Sequence, residues 1–124
     1  KELVENLGLQ NRVDFEGFQR DIIPFFLGAT ATLLTSNYEG FPNVLVESIT
    51  LGVPVISFDC PSGPREIIRN GINGYLVPPG DIDAFACSLE RSVETEWDSL
   101  LVKKTAEEFS MSNVGMKYAS LLSK

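Results

Sequence analysis

Apolar and polar positions along the chain alternate between two kinds of pattern. Compact apolar runs of strand length occupy residues 31–35 and 53–58, and a shorter one follows at 74–77. Val13 and Phe15 alternate with charged neighbours and predict one more short strand near a sheet edge. Elsewhere the apolar residues recur at helical spacing. Leu3, Val4, Leu7 and Leu9 predict a first helix, which Gly8 closes. Asp21 is placed to cap a short helix over 22–27. A helix is predicted over 42–51, with Pro42 in its first turn and Gly52 past its end. Residues 66–69 suit one helical turn. Asp81 starts a helix with Ile82, Phe85, Ala86 and Leu89 on one face. Two more amphipathic helices are predicted over 96–109 and 114–122.

Apolar strands alternating with helices predict an α/β fold: a doubly wound parallel sheet of about four strands with helices on both faces. In such sheets ligands bind at the carboxyl ends of the strands. The loops that matter therefore follow Phe15, Thr35, Phe58 and Val77.

Composition narrows the function. The 124 residues fit one domain, and the formal net charge is −7. Such a surface repels phosphate backbones, so nucleic acid is not an expected partner. A small anion remains compatible, because backbone dipoles bind phosphate whatever the global charge. The chain has no His, which removes the commonest general base and metal ligand. Cys60 and Cys87 lie far apart without metal-site spacing and are expected as free thiols. No apolar run approaches the roughly 20 residues of a membrane span. Trp97, Leu100, Leu101 and Phe109 form a stripe suited to a core, and the polar face beside it is acidic rather than membrane-seeking.

The segment from Ser36 to Glu47 carries the candidate chemistry. It leaves a predicted strand and enters a helix. Gly40 permits close approach of a ligand or a sharp turn, and Pro42 opens the helix. Free amides of Asn43, Val44 and Leu45 at the helix start would suit a phosphate. Glu47 has apolar neighbours nearly all round and is expected to be buried. A buried carboxylate needs partners. An internal arginine, a loop or the hydroxyls of a sugar would each serve. Glu39 reads by composition as an exposed loop acid, while its place at a strand's carboxyl end favours a ligand role.

These residues also carry a resemblance. Glu39 and Glu47, seven residues between them, with Gly40-Phe41-Pro42-Asn43-Val44-Leu45-Val46 intervening, resemble the E-x7-E motif of retaining glycosyltransferases of family GT4. Gly52-Val53-Pro54-Val55-Ile56, Ser62-Gly63-Pro64-Arg65-Glu66-Ile67-Ile68 and the stretch from Asn70 to Val77 are similar to the family's following segments. Upstream, the stretch from Val13 to Phe18 resembles its base-bordering strand and loop. The ordered set, from about Leu7 to about Leu89, is far more specific than two glutamates alone.

The resemblance implies a Rossmann-like domain, residues 1–124, forming part of the C-terminal, nucleotide-sugar-binding half of a two-domain GT-B enzyme. The N-terminal acceptor domain, and an Arg–Lys pair that neutralises the diphosphate, would lie outside this chain. Glu47 would bind the donor ribose and Glu39 the transferred sugar near the reacting centre. Backbone amides from Gly40 through Phe41, Pro42, Asn43 and Val44 to Leu45 would hold sugar and diphosphate. Phe18 and Gln19 would border the base. Glu66 would order its loop, and Arg65 would be a solvated surface residue. The donor would be a UDP- or GDP-sugar, without metal or other cofactor. The acceptor would be a glycan or a lipid-linked sugar in cell-envelope polysaccharide synthesis. The expected location is cytoplasmic, with peripheral association of the full-length protein at the inner face of the membrane as a further expectation. The competing reading is a non-catalytic nucleotide- or anion-binding α/β module. A response-regulator-like domain fits less well, since no cluster of acids marks successive strand ends. A hydrolase lacks both its His and a Gly-x-Ser-x-Gly elbow.

Overall fold

The computed structural model of the chain describes residues 1–123. Strands β1 (Thr32–Leu34), β2 (Val55–Phe58) and β3 (Gly74–Val77) form one sheet in the order β1-β2-β3. Both pairings are parallel, with Leu33 opposite Ile56 and Ile56 opposite Tyr75. Around the sheet run α1 (Glu2–Asn6), α2 (Ile23–Leu27), α3 (Asn43–Thr50), α4 (Pro64–Ile67), α5 (Ile82–Glu94), α6 (Ser99–Ala106), a 3-10 turn (Glu107–Phe109) and α7 (Met111–Leu122).

The alternation of side chains along the strands separates two cores. Val55, with Leu45 and Ile49 of α3, Ile67 of α4, and Val102 and Ala106 of α6, fills one face. Ile56, Phe58, Tyr75 and Val77 meet Phe85 of α5 on the other. β2 is buried along its whole length because both its faces are covered and both its edges are paired. Each fully buried Leu or Ile here contributes about 1.5–3 kcal/mol. The doubly wound arrangement is thus present.

Two features lock the layers. A Cβ on Gly74 would sit 1.9 Å from the Val55 carbonyl oxygen, so the β2–β3 register admits no larger residue there. Asn73, fully buried, donates to the Ile67 carbonyl at 3.0 Å and to Thr105 Oγ1 at 2.9 Å, and accepts from the Arg69 amide at 2.7 Å. From the position just before β3, it joins α4 and the turn after it to α6 through one side chain.

Some expectations need correction. Residues 13–15 form no strand, so the sheet has three strands among the described residues. Strand geometry needs a hydrogen-bonded neighbour, and this segment pairs with none. Phe15 is accordingly more than half exposed. The helix predicted from residue 96 begins at Ser99, because Asp98 Oδ1 accepts the amides of Leu100 and Leu101 at 3.0 and 3.1 Å. On α5 the inward residues are Ala84, Phe85 and Leu89, and both Ile82 and Ala86 face outward. Asp81 caps α5 as expected, accepting the Ala84 amide at 2.9 Å.

Candidate functional site

Parallel strands deliver their following loops to one end of the sheet. The β1–α3 loop brings Glu39, and the β2–α4 loop brings Ser62 and Gly63 against it. Ser62 Oγ donates to the Glu39 carbonyl at 2.8 Å. The Glu39 side chain is half-buried, yet its carboxylate has no hydrogen-bond or ion-pair partner among the described residues.

The start of α3 differs in detail from expectation. Pro42 is buried, stands just before the helix with φ −78° and ψ 84°, and has no N–H. Around it the Asn43 amide turns back to the Phe41 carbonyl at 2.9 Å, and the Leu45 amide bonds the Pro42 carbonyl at 3.0 Å. Asn43 and Leu45 are therefore spent internally, which corrects their assignment as free donors. The amides of Gly40, Phe41 and Val44 donate to no group among the described residues and stay available. Gly40 is uncrowded, and a Cβ added there would meet nothing within 4 Å. The Phe41 ring packs on Phe109, centroids 5.9 Å apart.

Glu47 is exposed, not buried. Leu45, Ser48 and Ile49 turn inward, while Asn43, Glu47 and Thr50, spaced four and three apart, share the outer stripe. The apolar neighbours Val44 and Val46 are only partly covered. Glu47 forms no ion pair among the described residues. It opens into a cleft of about 520 Å³, lined also by Arg20, Asp21, Phe26, Val46 and Thr50.

The base-side assignments divide. Gln19 lines a neighbouring cleft of about 400 Å³ with Gly17, Ile22, Phe26, Thr32 and Val44, and donates to the Glu16 carbonyl at 2.8 Å. Phe18 lines neither cleft and is 90% exposed. Arg65 is exposed, as expected. It forms a two-point contact with Asp59, and that hydrogen bond, with the charge behind it, pushes the guanidinium pKa further up. Among the described residues no cluster of three or more Cys, Asp or Glu is placed to hold a metal ion.

The family profile described as "Glycosyl transferases group 1" matches residues 1–110. The chain belongs to the group 1 glycosyltransferases. It is 40% identical over 109 residues to the lipopolysaccharide 1,6-galactosyltransferase of Salmonella typhimurium, a match covering 83% of this chain and 30% of that protein. It superposes on the lipopolysaccharide outer core galactosyltransferase WaaB, apo form, with TM-score 0.89 and 35% identity, over 98% of this chain and 36% of that one. Anabaena HepE in complex with UDP gives TM-score 0.82 and 28% identity, over 98% and 35% of the two chains. The fold is that of the GT-B glycosyltransferases, and the chain spans about a third of the length of these relatives.

Three residues of this group 1 domain gain importance from the structure. Arg20, next in sequence to Phe18 and Gln19, shares the Glu47 cleft. Ser62 touches the Glu39 loop, and Asp59 holds Arg65. A positive φ of 58° at Ser62, rare for a non-glycine residue, has no sequence signal beyond the Gly63-Pro64 that follows it.

Proposed function

We propose that the protein carrying this chain transfers a hexosyl group from a nucleotide-diphosphate sugar to a glycan or lipid-linked acceptor, with retention of configuration, in cell-envelope polysaccharide synthesis. The observation that carries the reading is two carboxylates without partners among the described residues, Glu39 before the start of α3 and Glu47 on its outer stripe. Glu39 has no partner in the loop at the carboxyl end of β1, and Glu47 opens into the cleft that it shares with Arg20. Ionised carboxylates accept hydrogen bonds and suit vicinal hydroxyls. Glu47 takes the donor ribose and Glu39 the transferred sugar. The free amides of Gly40, Phe41 and Val44 face the sugar and diphosphate. Gln19 borders the base from the adjoining cleft.

UDP is the favoured nucleotide, supported by the UDP complex of HepE. The galactosyltransferase relatives support a lipopolysaccharide-type acceptor. Protein cations and amides meet the diphosphate charge, without a metal ion. The bond from the anomeric carbon to the phosphate oxygen breaks as the acceptor oxygen bonds to that carbon on the same face. The acceptor proton passes to the leaving phosphate, giving glycosylated acceptor and nucleoside diphosphate. The protein works in the cytoplasm, at the inner face of the membrane where acceptors are lipid-linked.

The test uses the protein at its natural length. A donor panel is screened by thermal shift, and transfer is then assayed with Glu39→Gln. UDP-hexoses should raise the melting temperature. Glu39→Gln should abolish transfer and leave UDP binding intact. Donor binding with no transfer to any glycan would instead leave the non-catalytic binding module standing.

A further inference from the structure

We propose that Ser62, backed by Gly63, is a positioning residue that aims Glu39 at the donor sugar. The inference rests on the proposed role of Glu39. Residues 36–40 of the β1–α3 loop make few hydrogen bonds. Among the described residues, the bond from Ser62 Oγ to the Glu39 carbonyl is the single hydrogen bond made by residues 36–40. The Glu39 carboxylate itself is unpartnered, so its direction depends on where the backbone is set. One tether at 2.8 Å sets it.

The tether is built with care elsewhere. Ser62 holds φ 58°, a conformation that disfavours a side chain and that surrounding structure must maintain. Gly63, next to it, packs on the facing loop. With φ 91° it lies so close to the facing loop that a Cβ would reach 2.3 Å from Pro42 Cδ and 3.4 Å from the Gly40 carbonyl oxygen. The base of the same loop is gripped by Asp59, which accepts from Arg65 Nε at 3.1 Å. The Ser62 hydroxyl has one proton and also lies 2.9 Å from the Pro61 carbonyl, so its own backbone holds the hydroxyl oriented beside the Glu39 carbonyl. Glu47 lies on α3, outside the tethered loop, and the hold on the nucleotide does not pass through Ser62.

The positioning role predicts a split between turnover and binding. Initial rates and UDP affinity would be measured for the natural-length protein as wild type, Ser62→Ala, Ser62→Gly and Glu39→Gln. Glycine relaxes the backbone at φ 58° but also removes the hydroxyl, which separates strain from the hydrogen bond. Both Ser62 variants should lose kcat on the order of ten- to hundred-fold, the scale of a small misplacement of a reacting group, with UDP affinity near wild type. Wild-type kcat in either variant overturns the proposal. So does UDP affinity that falls in step with kcat, since that reports collapse of the loop. Glu39→Gln separates the two ideas. If it is inactive while Ser62→Ala is fully active, the tether fails and the reading of Glu39 stands. If Glu39→Gln is active, the role of Glu39 fails and the tether with it.

Discussion

Gly63 and Pro42 pack in direct contact across two loops, with no room between them for a single added methyl group. The contact joins the loop after β2 to the start of α3, and thus fixes both sides of the candidate site. Gly63→Ala meets two penalties, a strained positive φ and a clash with a buried ring. It should destabilise the protein by about 2–4 kcal/mol, read as a lower urea midpoint with unchanged slope. A midpoint equal to wild type would show that the two loops are free to part.

Glu47 stands on the outer stripe of α3 without an ion-pair partner, so its removal should cost the fold nothing measurable. Its proposed work is on the donor ribose. Glu47→Ala should weaken UDP-sugar binding on the order of ten- to hundred-fold, the usual loss for hydrogen bonds to a charged group. Calorimetric titration and a melting curve check the two halves together. Unchanged affinity would remove Glu47 from the site.

Asn73 carries a different kind of consequence. Its amide serves three groups from full burial, and truncation leaves the Ile67 carbonyl and the Arg69 amide without it. Asn73→Ala should cost about 2–4 kcal/mol, more than one exposed hydrogen bond is worth, because buried groups are left unpaired. Asn73→Asp should be at least as damaging, since a carboxylate cannot donate to Ile67. Urea unfolding of both variants measures the difference.

The strand–helix order was legible because β2 and β3 are short apolar runs between turn residues, and Asp81 caps a long amphipathic helix. Val13 and Phe15 alternated as a strand would, but alternation cannot supply the neighbour that a ladder requires. The candidate loop was legible from Glu39 through Glu47 as a linear motif. The exposure of Glu47 was not, because the apolar residues beside it hid a stripe of Asn43, Glu47 and Thr50. Ser62 and Arg20 escaped for another reason. Ser62 bonds a residue 23 positions away and Arg20 shares a cleft with Glu47, through loop geometry that no local pattern encodes.

Arg20 is the cation of the Glu47 cleft, in a chain whose formal net charge is −7. Asp21 beside it is engaged at the start of α2, its Oδ1 accepting the Ile23 amide at 3.1 Å. Arg20 forms no ion pair among the described residues, so its guanidinium is available to a ligand in the same cleft. A nucleotide offers it carbonyl oxygens on the base and charged oxygens on the diphosphate. Arg20→Ala should weaken UDP binding about ten-fold. Arg20→Lys discriminates the target. A lysine keeps the charge but loses the planar fork, so binding survives if the contact is with a phosphate and falls if it is a two-point contact with the base. Titrating both variants at low and high salt reads the same distinction, since a charge contact fades with ionic strength where a base contact persists. Wild-type affinity in Arg20→Ala at low salt would show that the cleft holds its ligand by Glu47 and the apolar wall alone.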